Sequence, residues 1–225
     1  MHKTISPVAQ EKITYAVLPD GMADVWIRKN EKKLPENEDG PQGVEADEIY
    51  FKVTAAAVSE EEITADMDFW FEQLKDKEEG CNADHLAVEV FRKNKKEELS
   101  QICQATIYAG VDIEISSGKE HFSLKYDDQV NLFGNQIKII SGDDEMEYHE
   151  DGNPCRYYSA EDMQVIIKEA MEFKSYHTTY ANSLNMWLKG CKRASEIAQI
   201  TYGAMVPEKH RSVVLNNYLA KMGAV

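Results

Sequence analysis

Between Ser159 and Gly190 neither proline nor glycine interrupts the chain, and apolar residues recur at three- and four-residue steps: Met163, Ile166, Ile167, Ala170, Phe173 or Lys174, His177, Tyr180, Leu184, Trp187 and Leu188. That period lays one broad stripe along a single long helix. Ser159-Ala160-Glu161-Asp162 supplies its start, a hydroxyl able to cap the first turn with acidic groups behind it. A helix of this length is the natural packing element for whatever surrounds it, and Gly190 ends it.

The segments upstream are of another kind. Glu11 to Leu18 and Ala23 to Arg28 flank Pro19-Asp20-Gly21, whose fixed and positive φ values suit a tight turn, so a hairpin is expected. Asp47 to Val53 reads as a third strand, with Ile49, Phe51 and Val53 on one face and Tyr50 on the other. Asn30 to about Val44 reads as a polar, mobile loop. Ser59-Glu60-Glu61-Glu62 opens one helix whose stripe is Ile63, Met67, Trp70, Phe71 and Leu74. Lys75 to Gly80 then reads as a linker. The formal charge of −15 is uneven, with sixteen acidic and five basic side chains in residues 31–80 against six and nine in residues 152–225. A step of this kind marks a domain boundary. The expected fold class is α+β: residues 1–80 form a small acidic antiparallel sheet with one helix, and residues 81–225 a mainly helical domain with two short hairpins.

Within the second domain, Ala83 to Ala109 is helical with a break near Lys93-Asn94-Lys95, an inner face of Leu99, Ile102, Cys103, Thr106 and Ile107, and a stop at Gly110. Val111 to Ile115 and His121 to Leu124 pair across Gly118. A helix from Tyr126, capped by Asp127 or Asp128, carries Val130, Leu132, Phe133, Ile137 and Ile140 as its apolar residues. A second hairpin turns at Asp151-Gly152-Asn153-Pro154. After the long helix come a shorter one, Ala194 to Tyr202 with Ile197 and Ile200 inward, and a last one with Pro207 in its first turn.

Charge and hydropathy exclude several classes of function. The acidic balance argues against duplex nucleic acid or an anionic membrane as partner. No apolar run could span a bilayer, and Met1 to Ser6 is too polar for a secretory signal, so an intracellular product, or a particle component made in a cytoplasm, is expected. Cys81, Cys103, Cys155 and Cys191 form no C-x-x-C pair and read as free thiols. His149 and Cys155 are metal donors but only two in number. Asp143, Asp144, Glu145, Glu147, Glu150 and Asp151 lack calcium-loop spacing. His177, beside Tyr176 and Tyr180, has no matched nucleophile, and Gly40-Pro41-Gln42-Gly43 has no strand and helix around it to make a phosphate loop. No cofactor, metal or catalytic residue is assigned. The tyrosines are the softer signal: Tyr157, Tyr158, Tyr176 and Tyr180 form the candidate protein-interaction surface, because a tyrosine presents an apolar body with a polar tip.

At Ala109-Gly110-Val111-Asp112, Gly118-Lys119-Glu120-His121-Phe122-Ser123-Leu124, Asp128-Gln129-Val130-Asn131-Leu132, Tyr148 to Tyr158 and Tyr176 to Leu184 the chain resembles a family of domains of unknown function from tailed-bacteriophage and prophage proteins. The likeness covers roughly residues 90–203. Asp24 to Asn30 and Glu45 to Phe51 are similar to the leader region such proteins carry. The resemblance implies no enzymatic activity and no catalytic residues. It implies a structural component of a phage or phage-like tail, near the baseplate or fibre, in contact with other tail proteins. Such a protein would be present in symmetric copies, assembled in a bacterial host cytoplasm and carried in the virion. The alternative is an assembly chaperone for tail fibres, absent from the mature particle. A hydrolase acting on host surface polymer has only the abundance of carboxylates behind it, which is weak support in so acidic a chain.

Overall fold

The computed structural model describes residues 1–35 and 43–223. The fold is α+β, an antiparallel sheet with helices followed by a mostly helical region with hairpins. Two compact units divide the chain, one formed by Met1–Lys95 with Cys191–Gln199, the other by Lys96–Gly190 with Ile200–Val225.

In the first unit, β1 (His2–Ser6), β2 (Ile13–Val17), β3 (Met22–Lys33) and β4 (Val44–Thr54) make an antiparallel sheet in the order β1-β4-β3-β2. The β2–β3 turn uses the expected chemistry, with Gly21 at φ +85° and the Asp20 carboxylate accepting from Met22 N–H at 3.0 Å. The strands run further than their apolar patterns, and Asn30 to Lys33 belong to β3 rather than to a loop. Asn30 takes φ +56° where the β3–β4 register shifts, a conformation asparagine tolerates, and its amide donates to Asp47 at 2.7 Å. The expected mobile loop otherwise falls on residues 36–42, as does most of Gly40 to Gly43, outside the described residues.

One face of the sheet buries Val25, Ile27, Ile49, Phe51 and Val53 beneath α1 (Glu60–Ala65) and α2 (Met67–Leu74). Phe51 stacks on Trp70 at 5.7 Å between centroids. Ser59 caps α1 as expected, its hydroxyl accepting from Glu62 N–H at 3.2 Å. The single helix expected here is two, because Asp66 leaves helical geometry at φ −130° and turns its buried carboxylate onto Ser195.

The compact unit does not end at Gly80. β5 (Cys81–Asn82) adds in parallel to β4, and Ala83, Leu86 and Ala87 close the same core through a 3₁₀ turn at Asp84–Leu86. The Asp84 carboxylate fixes that turn, accepting from Thr54 N–H and Oγ1 at 2.6 and 2.7 Å. α3 (Val88–Ala109) follows without a break at Lys93 to Lys95.

In the second unit, Gly110 at φ +85° ends α3, and a Cβ there would stand 2.0 Å from the Phe122 carbonyl oxygen. Cys103 and Ile107 face the core, whereas Ile102 faces solvent. β6 (Val111–Ile115) pairs with β7 (Gly118–Phe122), α4 (Tyr126–Ser141) follows, and β8 (Glu145–Tyr148) pairs with β9 (Arg156–Ser159). α5 (Ala160–Gly190) is the expected long helix, begun by the Ser159 hydroxyl accepting from Asp162 N–H at 3.1 Å. Met163, Ile166, Ile167 and Ala170 join Phe122, Leu124, Leu132, Met146 and Tyr158 in one core. Leu184 and Leu188 are buried further along, while Trp187 is only half-buried. α6 (Ala194–Ala198), which belongs to the first unit, is shorter than expected, although Ile197 and Ile200 are both buried. The last helix, α7 (Val213–Lys221), starts after Pro207, capped by Ser212.

Candidate interaction surface

α4 leaves a continuous stripe of apolar side chains uncovered. Its start is fixed by Asp128, whose carboxylate accepts from Lys125 N–H at 2.9 Å and from the Ser123 hydroxyl at 3.0 Å. The aspartate therefore acts from the third helical position, with Lys125 at the cap. Gly142, at φ +97°, closes the other end. Leu132 and Asn135 face inward, Ile139 is half-buried, and the Asn135 amide donates to the Glu147 carbonyl at 3.4 Å and contacts Met163 Sδ at 3.8 Å.

The opposite face carries Tyr126, Val130, Phe133, Ile137 and Ile140, between 50% and 76% exposed. Their spacing is four, three, four, three. That is the seam by which one helix packs along another, knobs alternating at the two core positions of a heptad. The sequence marks Val130, Leu132, Phe133, Ile137 and Ile140 as the apolar residues of this helix without separating a buried face from an exposed one. The interior takes only the narrower Leu132, Asn135 and Ile139 edge, because that is the side turned toward α5 and the β8–β9 hairpin. Beside the seam lies a depression of about 510 Å³ lined by Val130, Gly134, Lys138, Tyr148, His149 and Cys155 among others.

The expected tyrosine surface does not hold together. Tyr157 is exposed, but its neighbour Tyr158 is buried, because successive residues of β9 point to opposite faces: Tyr158 pairs with Met146 on the inner side and Tyr157 with Glu147 on the outer. The Tyr158 hydroxyl donates to Glu120 at 2.8 Å, and the Arg156 guanidinium lies 4.1 Å above its ring. Tyr180 is buried too. Its hydroxyl donates to the Ala204 carbonyl at 2.6 Å and accepts from Gly203 N–H at 2.9 Å, tying the chain after α6 back to α5. Tyr176 is half-buried, stacked on Tyr180 at 6.1 Å and edge-on to Tyr218 at 5.8 Å. Two of the four residues are thus packing elements.

His177 sits in the same aromatic cluster, its Nδ1 2.9 Å from the Tyr202 hydroxyl and its ring edge-on to Phe173. Burial pulls it below the ordinary histidine range and pushes the Tyr202 and Tyr180 hydroxyls up. A neutral imidazole hydrogen-bonded to a neutral phenol among aromatic rings is a packed pair. His149 and Cys155 are both exposed on the wall of the depression beside α4. Among the described residues no group of three or more His, Cys, Asp or Glu side chains is placed to hold a metal ion. Two acids of the 143–151 stretch turn to protein partners: Glu150 accepts from Asn153 at 2.6 Å, and Asp151 lies 3.0 Å from the Ser123 hydroxyl, whose single proton it shares with Asp128. Among the described residues no helix is long and apolar enough to cross a membrane.

His121 is a titratable residue that sequence reasoning passed over. Its two ring nitrogens lie 2.6 Å from an Asp112 carboxylate oxygen and 2.8 Å from the Ala109 carbonyl. Both are acceptors, so the doubly protonated ring is favoured, and Asp112 holds His121 above its ordinary value. Lys119 and His121 together hold Asp112 below its own. Alternation along β7 places His121 opposite Asp112, and that pairing was readable only once the register was known.

Comparison of the chain with protein-family models, with curated proteins and with solved structures finds no match in any of the three.

Proposed function

We propose that the protein is a non-enzymatic structural component that acts through protein–protein contacts, and that it serves in a phage or phage-like tail. The observation that carries the contact role is the exposed five-residue seam of α4. A contiguous apolar stripe of this size, rimmed by acidic side chains, is of the kind that marks an interaction site. The tail context rests on the resemblance over residues 90–203. The residues that carry it are a Phe in a strand, a capped helix start, a hairpin turn and an aromatic-rich helix, which are structural types rather than reagents.

Mass spectrometry of purified particles tests the reading. Peptides of this chain are expected in the virion in stoichiometric amount, and a Phe133→Glu variant is expected to be under-represented there. Complete absence from particles overturns the tail-component reading. Absence combined with a higher yield of soluble tail fibre on co-expression establishes the second reading, an assembly chaperone. The observation favouring that second reading is the same apolar face bracketed by Asp127, Asp143 and Asp144, an arrangement suited to shielding a sticky partner while keeping it soluble.

A further inference from the structure

The α4 seam is specific enough to indicate its occupant. We propose that it is covered by α4 of a second copy of this chain, packed antiparallel about a two-fold axis near Phe133 and Gly134. This rests on the reading of α4 as a contact surface and names what contacts it.

The first argument is area. Five residues exposed to this extent, two of them aromatic, present on the order of 600 Å² of apolar surface when an aromatic side chain accounts for 150–250 Å². A self-paired seam would then bury about 1,200 Å², at the threshold for a specific interface. A single helix lying on another helix of the same period is the partner that fills a four-three repeat, and the chain carries such a helix in every copy.

The second argument is symmetry. Phe133 is the middle residue of the seam, seven positions from Tyr126 and seven from Ile140. Reversing the helix about it therefore sets Tyr126 against Ile140 and Phe133 near itself, aromatic on aliphatic at both ends, with Val130 and Ile137 adjacent but one residue out of register. An isologous contact requires a surface complementary to itself in this way.

The third argument is Gly134. It sits in the helix interior without positive φ, and a Cβ built on it meets no atom within 4 Å. Its own chain therefore gives no reason for glycine, although glycine weakens a helix by about 1 kcal/mol relative to alanine. Next to the two-fold axis the missing side chain leaves a hole for the Phe133 ring of the other copy.

Charge then selects the direction. Parallel pairing would set Asp127 and Asp128 against themselves, and Asp143 and Asp144 against themselves, with the two helix dipoles aligned. Antiparallel pairing brings Lys125 toward Asp143 and Asp144 of the second copy and Asp127 toward its Lys138.

Sedimentation equilibrium on the full chain tests the pairing. The unmodified protein is expected to be a concentration-dependent dimer. Phe133→Glu and Ile137→Glu are expected to raise the dimer dissociation constant at least 100-fold while leaving circular dichroism and the low-concentration melting midpoint unchanged, since both side chains are exposed. Direction is read by disulfide trapping in a Cys155→Ser background. Phe133→Cys is expected to cross-link to itself under mild oxidant, and Tyr126→Cys not to. A protein monomeric at all concentrations, or a dimer insensitive to both glutamate variants, overturns the proposal. Equal cross-linking at both positions overturns the antiparallel geometry. The contact-surface reading fails separately, if Phe133→Glu enters particles as well as the unmodified chain does.

Discussion

The Asp66 carboxylate accepts two hydrogen bonds from one residue 129 positions away, Ser195 N–H at 2.9 Å and Ser195 Oγ at 2.6 Å. The pair brings Cys191–Gln199 into the first compact unit, although the sequence places that segment after the long helix of the second. Asp66 is buried, and removing it leaves the Ser195 N–H without its acceptor. Asp66→Ala is expected to destabilise the first unit by about 2–3 kcal/mol, and Asp66→Asn, which keeps one acceptor oxygen, by roughly half of that. Urea unfolding followed by tryptophan fluorescence measures both, since Trp70 is in the same core.

Two glycines are expected to respond to alanine with opposite sign. Gly110→Ala places a Cβ against the Phe122 carbonyl at a positive φ, and is expected to cost about 3 kcal/mol or more. Gly134→Ala meets open space in a regular helix and is expected to raise monomer stability by about 1 kcal/mol. Thermal melts at low protein concentration distinguish them.

Adjacent tyrosines separate packing from surface. Tyr158→Ala empties a core site between Phe122 and Met146 and removes the Glu120 contact, so a loss of about 3–5 kcal/mol is expected. Tyr157→Ala is expected to stay within about 0.5 kcal/mol of the parent. Along α5 the same contrast sets Leu184→Ala, at about 3 kcal/mol, above Trp187→Ala, whose half-buried ring leaves a smaller cavity than full burial would.

Two histidines act on opposite sides of the ordinary histidine pKa of 6.5. His177 is lowered by burial, so below that value the unfolded chain binds a proton that the folded chain refuses, and stability falls as pH drops through this window. His121 is raised by Asp112 and the Ala109 carbonyl. Its contribution is fully present below pH 6.5 and is lost as pH rises through the higher folded value. Their joint effect is a stability maximum near that pKa. His121→Gln is expected to flatten the decline on the alkaline side, and His177→Gln the decline on the acid side. Unfolding midpoints measured from about pH 5 to pH 8 test each.

Much of the architecture was legible because local chemistry and global fold agree. The Pro19-Asp20-Gly21 turn, the Ser59 and Ser159 caps, the Gly110 stop and the unbroken period of α5 each act within a few residues of themselves, and each is present as the pattern implied. What failed was what depends on partners distant in the chain. Asp66 breaks a helix that reads as continuous, since its carboxylate answers Ser195. β5 and the residues after it belong to the first core, since β4 still has an open edge there. Tyr158 and Tyr180 are interior, since Glu120 and the Ala204 carbonyl satisfy their hydroxyls.

α4 draws the line most sharply. Its residues determine a helix with apolar groups on two sides, Leu132 and Ile139 on one, and Tyr126, Val130, Phe133, Ile137 and Ile140 on the other. Periodicity cannot rank the two, because a stripe buried in its own domain and a stripe that waits for another molecule have the same spacing. The choice fell to the side facing α5 and the β8–β9 hairpin, where the space is narrow enough for Leu132 and Asn135. The richer stripe was left to solvent, and only the packed tertiary structure could reveal it.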